Sequence, residues 1–337
     1  MPYTKVTEAQ ILGTRECNIR CDYCRLVRDI PFERKDELDI DGWKTAFSKM
    51  DSFGIKTVKG LGGEWSVKEY LPELVEFITN NTNIKFALLS NSSFDNPYRT
   101  KLVDGGLNSY FASVDWADPK ILDSNGKSAP GLKMLLELKE LGVENLGANT
   151  VIMPQNIDHI PQILEFLTEN EIVMNLCPAH GGDNYAFEYR AKTKSGNIAN
   201  CMPGELEELV DTLFDMKDDG CFFAAPASYL DAIKTHAIPL DWKCGEFSQL
   251  RIDANGDLKI CPDGGPMHYV NAGIETNEKY NILSMSPNDF RDLYASFDAN
   301  KWRARCPGCG PWSAQYRAEK NKRYGIGDPV LSGRKNR

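Results

Sequence analysis

What this 337-residue chain lacks narrows it first. No run approaches the roughly 18 consecutive apolar residues of a membrane span, and the N-terminus, Met-Pro-Tyr-Thr-Lys, has no apolar h-region of a secretion signal. A cytoplasmic protein with no membrane contact is therefore expected. Internal repeats and low-complexity segments are also missing. There is no basic excess: the formal net charge is −9, which makes nucleic acid an unlikely partner. That charge is uneven, since Lys301–Arg337 carries ten Lys/Arg against two acids and leaves −17 on the residues before it. The tail reads as a solvated terminus, or as a surface that meets phosphate or the acidic body of its own chain. A hydrophobic content of 42% and an aromatic content of 10% describe an ordinary soluble globular chain. The length suits one large domain plus a smaller one. Cysteine is what the chain does have: ten residues which, without a secretion signal, read as metal ligands and not as disulfides.

Three of them, Cys17, Cys21 and Cys24, lie in Glu16-Cys-Asn-Ile-Arg-Cys-Asp-Tyr-Cys-Arg25, a C-x3-C-x2-C triplet after an apolar stretch. Three thiolates on one tight loop can hold three irons of a 4Fe–4S cube and leave the fourth iron open to a substrate or cofactor. A zinc knuckle or unrelated buried thiols are the alternatives. Zinc wants a fourth ligand, and no further Cys or His occurs before His159. The triplet resembles the signature of the radical S-adenosylmethionine (radical SAM) superfamily. That resemblance implies a 4Fe–4S cluster whose open iron chelates S-adenosylmethionine, and reductive cleavage to a 5′-deoxyadenosyl radical. It also implies oxygen sensitivity and an electron donor of the flavodoxin or ferredoxin type.

Strand-like and helix-like segments alternate over the first 235 residues. Strands are expected at Ala9–Gly13, Thr57–Gly60, Phe86–Ser90, Tyr110–Val114, Leu146–Ile152 and Ile172–Cys177. Helical periodicity marks Trp43–Phe53, Tyr70–Ile78, Pro97–Val103, Leu132–Leu141 and Ile160–Leu167, then Glu205–Met216 and Ser228–His236. Six β/α units in series predict a parallel sheet with helices outside, three-quarters of an eightfold barrel. The superfamily resemblance implies the same fold, a partial (β/α)6 TIM-like barrel, here over residues 1–238. Chemistry in such a barrel sits at the C-terminal ends of the strands.

Strand two runs into Gly60-Leu-Gly-Gly-Glu64. The paired glycines Gly62 and Gly63 let backbone amides approach a ligand, and Glu64 offers a carboxylate to a cationic amine. By resemblance this is the Gly-Gly-Glu element that holds the methionine ammonium, with Trp65 where relatives usually have Pro. The resemblance further implies that Tyr23 contacts adenine through its backbone. It matches Leu89-Ser-Asn91-Ser to a Thr-Asn-Gly element, and Ser113 and Asp115 to a pair that contacts ribose or substrate hydroxyls. Asp115 could instead cap the following turn. Asn149, on strand five, is a further cofactor-contact candidate.

A second cysteine set follows a boundary near Pro239. Cys244 precedes Leu250-Arg-Ile252, then Asp253-Ala-Asn-Gly256, then Leu258-Lys-Ile260 and Cys261, and Asn-Gly between alternating apolar residues predicts a hairpin. Cys306 and Cys309 add a C-x2-C pair. Four thiolates could enclose a complete cluster or a structural zinc. The pattern resembles the Twitch domain, a shortened SPASM domain, which implies one auxiliary 4Fe–4S cluster over residues 239–320, followed by a basic tail at 321–337. Of the remaining cysteines, Cys177 should face the barrel mouth, where a thiol could give a hydrogen atom to a substrate radical; an inert core thiol is the alternative. Cys221 reads as core, Cys201 has no assigned role, and His180 is a modest substrate-contact candidate.

The expected function is a radical SAM oxidoreductase for natural-product or cofactor biosynthesis, passing an electron to the auxiliary cluster. With only sixteen residues before Cys17 there is no leader-recognition domain, which favours a small-molecule substrate. Peptide crosslinking or epimerisation is the second expectation. A non-catalytic iron–sulfur electron carrier is a third, and Gly62-Gly63-Glu64 argues against it.

Overall fold

The computed structural model describes residues 6–21, 24, 36–116, 129–178, 203–221, 223–225, 227–234, 249–259 and 280–296. Six strands appear in chain order: β1 (Glu8–Leu12), β2 (Thr57–Leu61), β3 (Lys85–Ser90), β4 (Ser109–Ser113), β5 (Asn145–Ile152) and β6 (Val173–Pro178). Each is parallel to the next, and the helices α1 (Ile40–Ser52), α2 (Leu71–Asn81), α3 (Asn96–Asp104), α4 (Ala129–Glu140) and α5 (Ile160–Glu169) return the chain between them. Two further helices, α6 (Pro203–Asp218) and α7 (Ala227–Lys234), follow β6. The expected partial barrel is present.

The sequence places the helices by burial. Helix α1 starts where the Asp39 side chain accepts from the Gly42 N–H, and it buries Trp43, Ala46, Phe47 and Met50. Helix α2 buries Leu71, Leu74, Val75 and Ile78. These are the apolar positions that the 3.6-residue period selects. The helices cover the outer face of the sheet. Outside, Phe86, Leu88, Tyr110, Ala148 and Met174 join the helices in one core, while Ala87, Phe111 and Val173 form a separate cluster in the lumen with Leu89.

The predicted hairpin exists as β7 (Leu250–Ile252) and antiparallel β8 (Leu258–Lys259). Its first strand lies parallel to β1, with Ala9 opposite Leu250, so the sheet runs β6-β5-β4-β3-β2-β1-β7-β8 and stays open. This covers the edge that β1 would otherwise leave unpaired. A helix that the sequence reading missed, α8 (Pro287–Ser296), stacks Phe290 on Phe53 with ring centroids 4.8 Å apart.

Candidate functional site

The C-terminal ends of β1, β2 and β3 meet around the cysteine loop, and the grip on that loop is mostly backbone. Gly63 N–H donates to the Thr14 carbonyl at 2.7 Å, and Glu64 N–H donates to the Glu16 carbonyl at 2.7 Å. A Cβ on Gly63 would lie 1.9 Å from the Glu16 oxygen, and Gly62 adopts φ +129 beside the Thr14 oxygen. The glycine pair therefore lets two stretches of chain touch. The amides of Gly63 and of Glu64 after it both bond to the chain leading into the cysteine loop.

Glu64 is 1% exposed, and its carboxylate is well occupied. One oxygen accepts from the Ser66 N–H at 3.0 Å and the Ser90 hydroxyl at 2.9 Å, and the other from the Asn91 N–H at 2.7 Å. The residue joins the end of β2 to the end of β3. Trp65 points the other way. Its buried ring fills space left by Gly13 and Gly60, lies 5.5 Å from the Trp43 ring, and donates its indole N–H to the Leu61 carbonyl at 3.0 Å.

Ion pairs fix the start of the loop. Glu37 accepts from the Thr14 hydroxyl at 2.8 Å and the Arg15 N–H at 2.7 Å, and Lys68 reaches Glu37 at 2.7 Å and Glu16 at 3.3 Å. Arg15 pairs with the buried Asp253 of the hairpin at 2.6 Å. Cys21 is buried, Cys17 and Cys24 are half-buried, and none forms a disulfide. Among the described residues no three Cys, His, Asp or Glu side chains are gathered as a metal-holding group. The donor set fits an iron–sulfur cluster: three thiols on one loop, with the Asn91 amide directed at the Cys17 sulfur at 3.9 Å.

The ends of β4, β5 and β6 form the other side of the mouth. Asp115 is fully buried and accepts from the Val151 N–H at 2.9 Å, and Asn156 donates to the Asp115 carbonyl at 2.9 Å. Asp115 therefore braces strand to strand and does not merely cap a turn. Ser113, Asn149 and Asn175 share one register layer, and Asn175 donates to the Asn149 side chain at 3.2 Å. Asn175 is a mouth residue that sequence reasoning missed, though its place in β6, two residues before Cys177, marks it. Cys177 sits opposite Val151, half-buried, and burial pushes its thiol up to about 12. Tyr23, His180, Cys201, Cys244, Cys261, Cys306 and Cys309 lie outside the described residues.

A parallel, partly closed β/α barrel with a three-thiol loop at its C-terminal mouth defines the class. Residues 11–167 match the model of the Radical SAM superfamily. Among curated proteins, the GTP 3',8-cyclase of Tolumonas auensis is 29% identical over 168 residues, 48% of this chain and 50% of that protein. The match thus spans half of that relative's length. A probable GTP 3',8-cyclase of Methanococcus maripaludis is 28% identical over 256 residues, 74% of this chain and 82% of that protein. Among solved structures, Streptococcus suis SuiB bound to S-adenosylmethionine superposes with TM-score 0.63 at 17% identity, over 89% of this chain and 67% of that chain. SuiB bound to its precursor peptide SuiA superposes with TM-score 0.61 at 16% identity, over 97% of this chain and 76% of that chain. At such identities these two structures speak for the fold alone. Among the described residues no helix is long and apolar enough to cross a membrane.

Proposed function

We propose that this chain is a radical SAM oxidoreductase that binds a 4Fe–4S cluster on Cys17, Cys21 and Cys24, with S-adenosylmethionine beside it. When bound, the cluster supplies the electron that cleaves S-adenosylmethionine to a 5′-deoxyadenosyl radical, which takes a hydrogen atom from the substrate. The observation that carries this reading is the anchoring of the thiol-bearing loop by the ends of β2 and β3. Gly63 and Glu64 hold its backbone, Glu37 and Lys68 hold its start, and Asn91 faces Cys17. A loop so held presents its thiols to the barrel mouth, where Ser113, Asn149 and Asn175 offer hydrogen-bonding groups above an apolar floor of Phe111 and Val173. Glu64 supports cofactor binding by holding the strand ends together, and Tyr23 remains the proposed adenine contact.

In the same reading Cys244, Cys261, Cys306 and Cys309 would hold one auxiliary 4Fe–4S cluster, which would supply an acceptor for one electron and make the net reaction an oxidation. A flavodoxin- or ferredoxin-type protein supplies the first electron. A small-molecule substrate is favoured. Strand register puts Gln10, Lys59 and Arg251 in the lumen layer of Ala87, and these polar and cationic side chains suit an anionic molecule such as the GTP named for the curated relatives. A peptide is the second reading, with crosslinking or epimerisation as the outcome and Cys177 as hydrogen-atom donor. The fold match to SuiB, solved with a precursor peptide, supports it.

Anaerobic incubation with dithionite and S-adenosylmethionine tests the enzyme. 5′-Deoxyadenosine should form well above the level of a Cys24→Ala control, and no excess over that control ends both readings. Deuterium transfer from labelled GTP or labelled peptides into 5′-deoxyadenosine then separates the substrates.

A further inference from the structure

The amide of Asn91 has only one orientation that satisfies its surroundings. Its oxygen accepts from the Ser93 N–H at 3.0 Å and also from the Ser93 hydroxyl. That hydroxyl in turn accepts from the Asn18 side-chain amide at 2.6 Å, and the Asn18 oxygen accepts from the Asn91 amide at 2.8 Å. Asn18, Asn91 and Ser93 thus close a ring in which each donor meets an acceptor. A flipped amide would set its NH2 against two donors from Ser93. The backbone is fixed as well, because the Asn91 N–H is spent on buried Glu64. Asn91 is itself 6% exposed. The remaining hydrogen of the amide is therefore held toward the Cys17 sulfur, 3.9 Å away.

We propose that Asn91 is a positioning residue that donates an N–H···S hydrogen bond to the Cys17 thiolate and raises the reduction potential of the cluster on the Cys17–Cys24 loop. The physical basis is general. A donor on a ligand sulfur draws negative charge from the thiolate, which stabilises the reduced and more electron-rich cluster. The resemblance to a Thr-Asn-Gly element pointed Asn91 at the cofactor itself, whereas the geometry points it at the metal ligand. The role lies with Asn91 and Ser93 together, since without the serine donors the amide could turn.

The inference rests on the cluster assignment above, and one experiment separates the two. An EPR-monitored redox titration follows the reconstituted full chain, reading the signal that is absent in Cys24→Ala. If wild type shows no such signal, the cluster assignment has failed. With that signal present, Asn91→Asp keeps the acceptor for Ser93 but replaces the donor with a charge that repels the thiolate. Its potential should fall, with iron content unchanged. Asn91→Leu, which removes the donor without adding a charge, should fall by less. An unchanged potential in both variants at full iron content overturns the proposal. So does loss of the cluster in both, because Asn91 would then hold the loop and not tune it. Ser93→Ala should lower the potential by less than Asn91→Leu.

Discussion

The two sides of the barrel mouth are built from similar polar residues and spend them differently. On the β1–β3 side, Gly63 N–H, Glu64 N–H, the Glu64 carboxylate and the Asn91 amide all bond across to another segment, most of them to or toward the cysteine loop. On the β4–β6 side, Asp115, Thr150 and Asn156 bond strand end to strand end. Thr150 reaches the Val114 carbonyl at 2.6 Å, and Asn156 holds the Val151 carbonyl at 2.7 Å and the Met153 N–H at 2.8 Å. One side organises a loop and the other braces the sheet. Burying a polar group demands a partner either way, so burial alone does not distinguish a site from a brace. The direction of the bonds does.

The sharpest break of this contrast is Gly63→Ala. The new methyl meets backbone at 1.9 Å, which no side-chain rotation relieves. The cysteine loop should be expelled and the iron bound there lost, measured as iron content after anaerobic reconstitution. Retention of that iron would mean the loop is not held as described. Trp65→Pro should empty the space beside Gly13 and Gly60 and cost about 3–5 kcal/mol of stability in urea unfolding. A cost under about 1 kcal/mol would show that the indole packs no essential gap. Glu64→Gln confronts one of three donors with an amide N–H and should cost about 1–3 kcal/mol. Urea unfolding should show that loss with the iron content close to wild type, because the Gly63 and Glu64 amides hold the loop. On the other side, Asp115→Asn should cost only about 1 kcal/mol, the difference between a charged and a neutral acceptor for the Val151 N–H. Its iron content should match wild type; a loss there would erase the distinction between the two sides.

Much of the frame was legible in the chain. All six strands lie within one or two residues of where periodicity put them, because buried parallel strands read as short apolar runs. The faces of α1 and α2 were legible from the 3.6-residue spacing of their apolar residues. The hairpin was visible in Asn255-Gly256, but its attachment beside β1 was not, since register between distant strands leaves no local mark. Glu64 was found by motif, but its protein partners were not. Spacing locates a carboxylate at a strand end but cannot show that Ser66, Ser90 and Asn91 occupy it. Trp65 stood out as a departure, and its compensation by Gly13, more than fifty residues earlier, appears only in three dimensions. Helix α8 was passed over because it is short and mostly polar, although Phe290 and Leu293 mark its buried face.

The smallest expected effect sets Cys177 against the loop cysteines. Cys17, Cys21 and Cys24 must shed their protons to hold iron, because the thiolate is the ligand. Cys177, on the bracing side, keeps its proton: burial raises its thiol from an ordinary 9.0 to about 12. The S–H bond that hydrogen-atom donation would need is therefore intact at neutral pH. Between those two values the folded chain holds a proton that the unfolded chain has released, so stability falls as pH rises. Below about pH 9 the contribution is fully present. Tyr98 and Tyr110 are also raised by burial, so the start of the window, from pH 9 to 10, reports the thiol best. Urea unfolding across that interval should show a decline that Cys177→Ala reduces. Iodoacetamide at pH 8 should label Cys177 far more slowly than a free thiol, read by mass spectrometry. Rapid labelling there, or a decline identical in the alanine variant, would remove the contrast between the two kinds of cysteine.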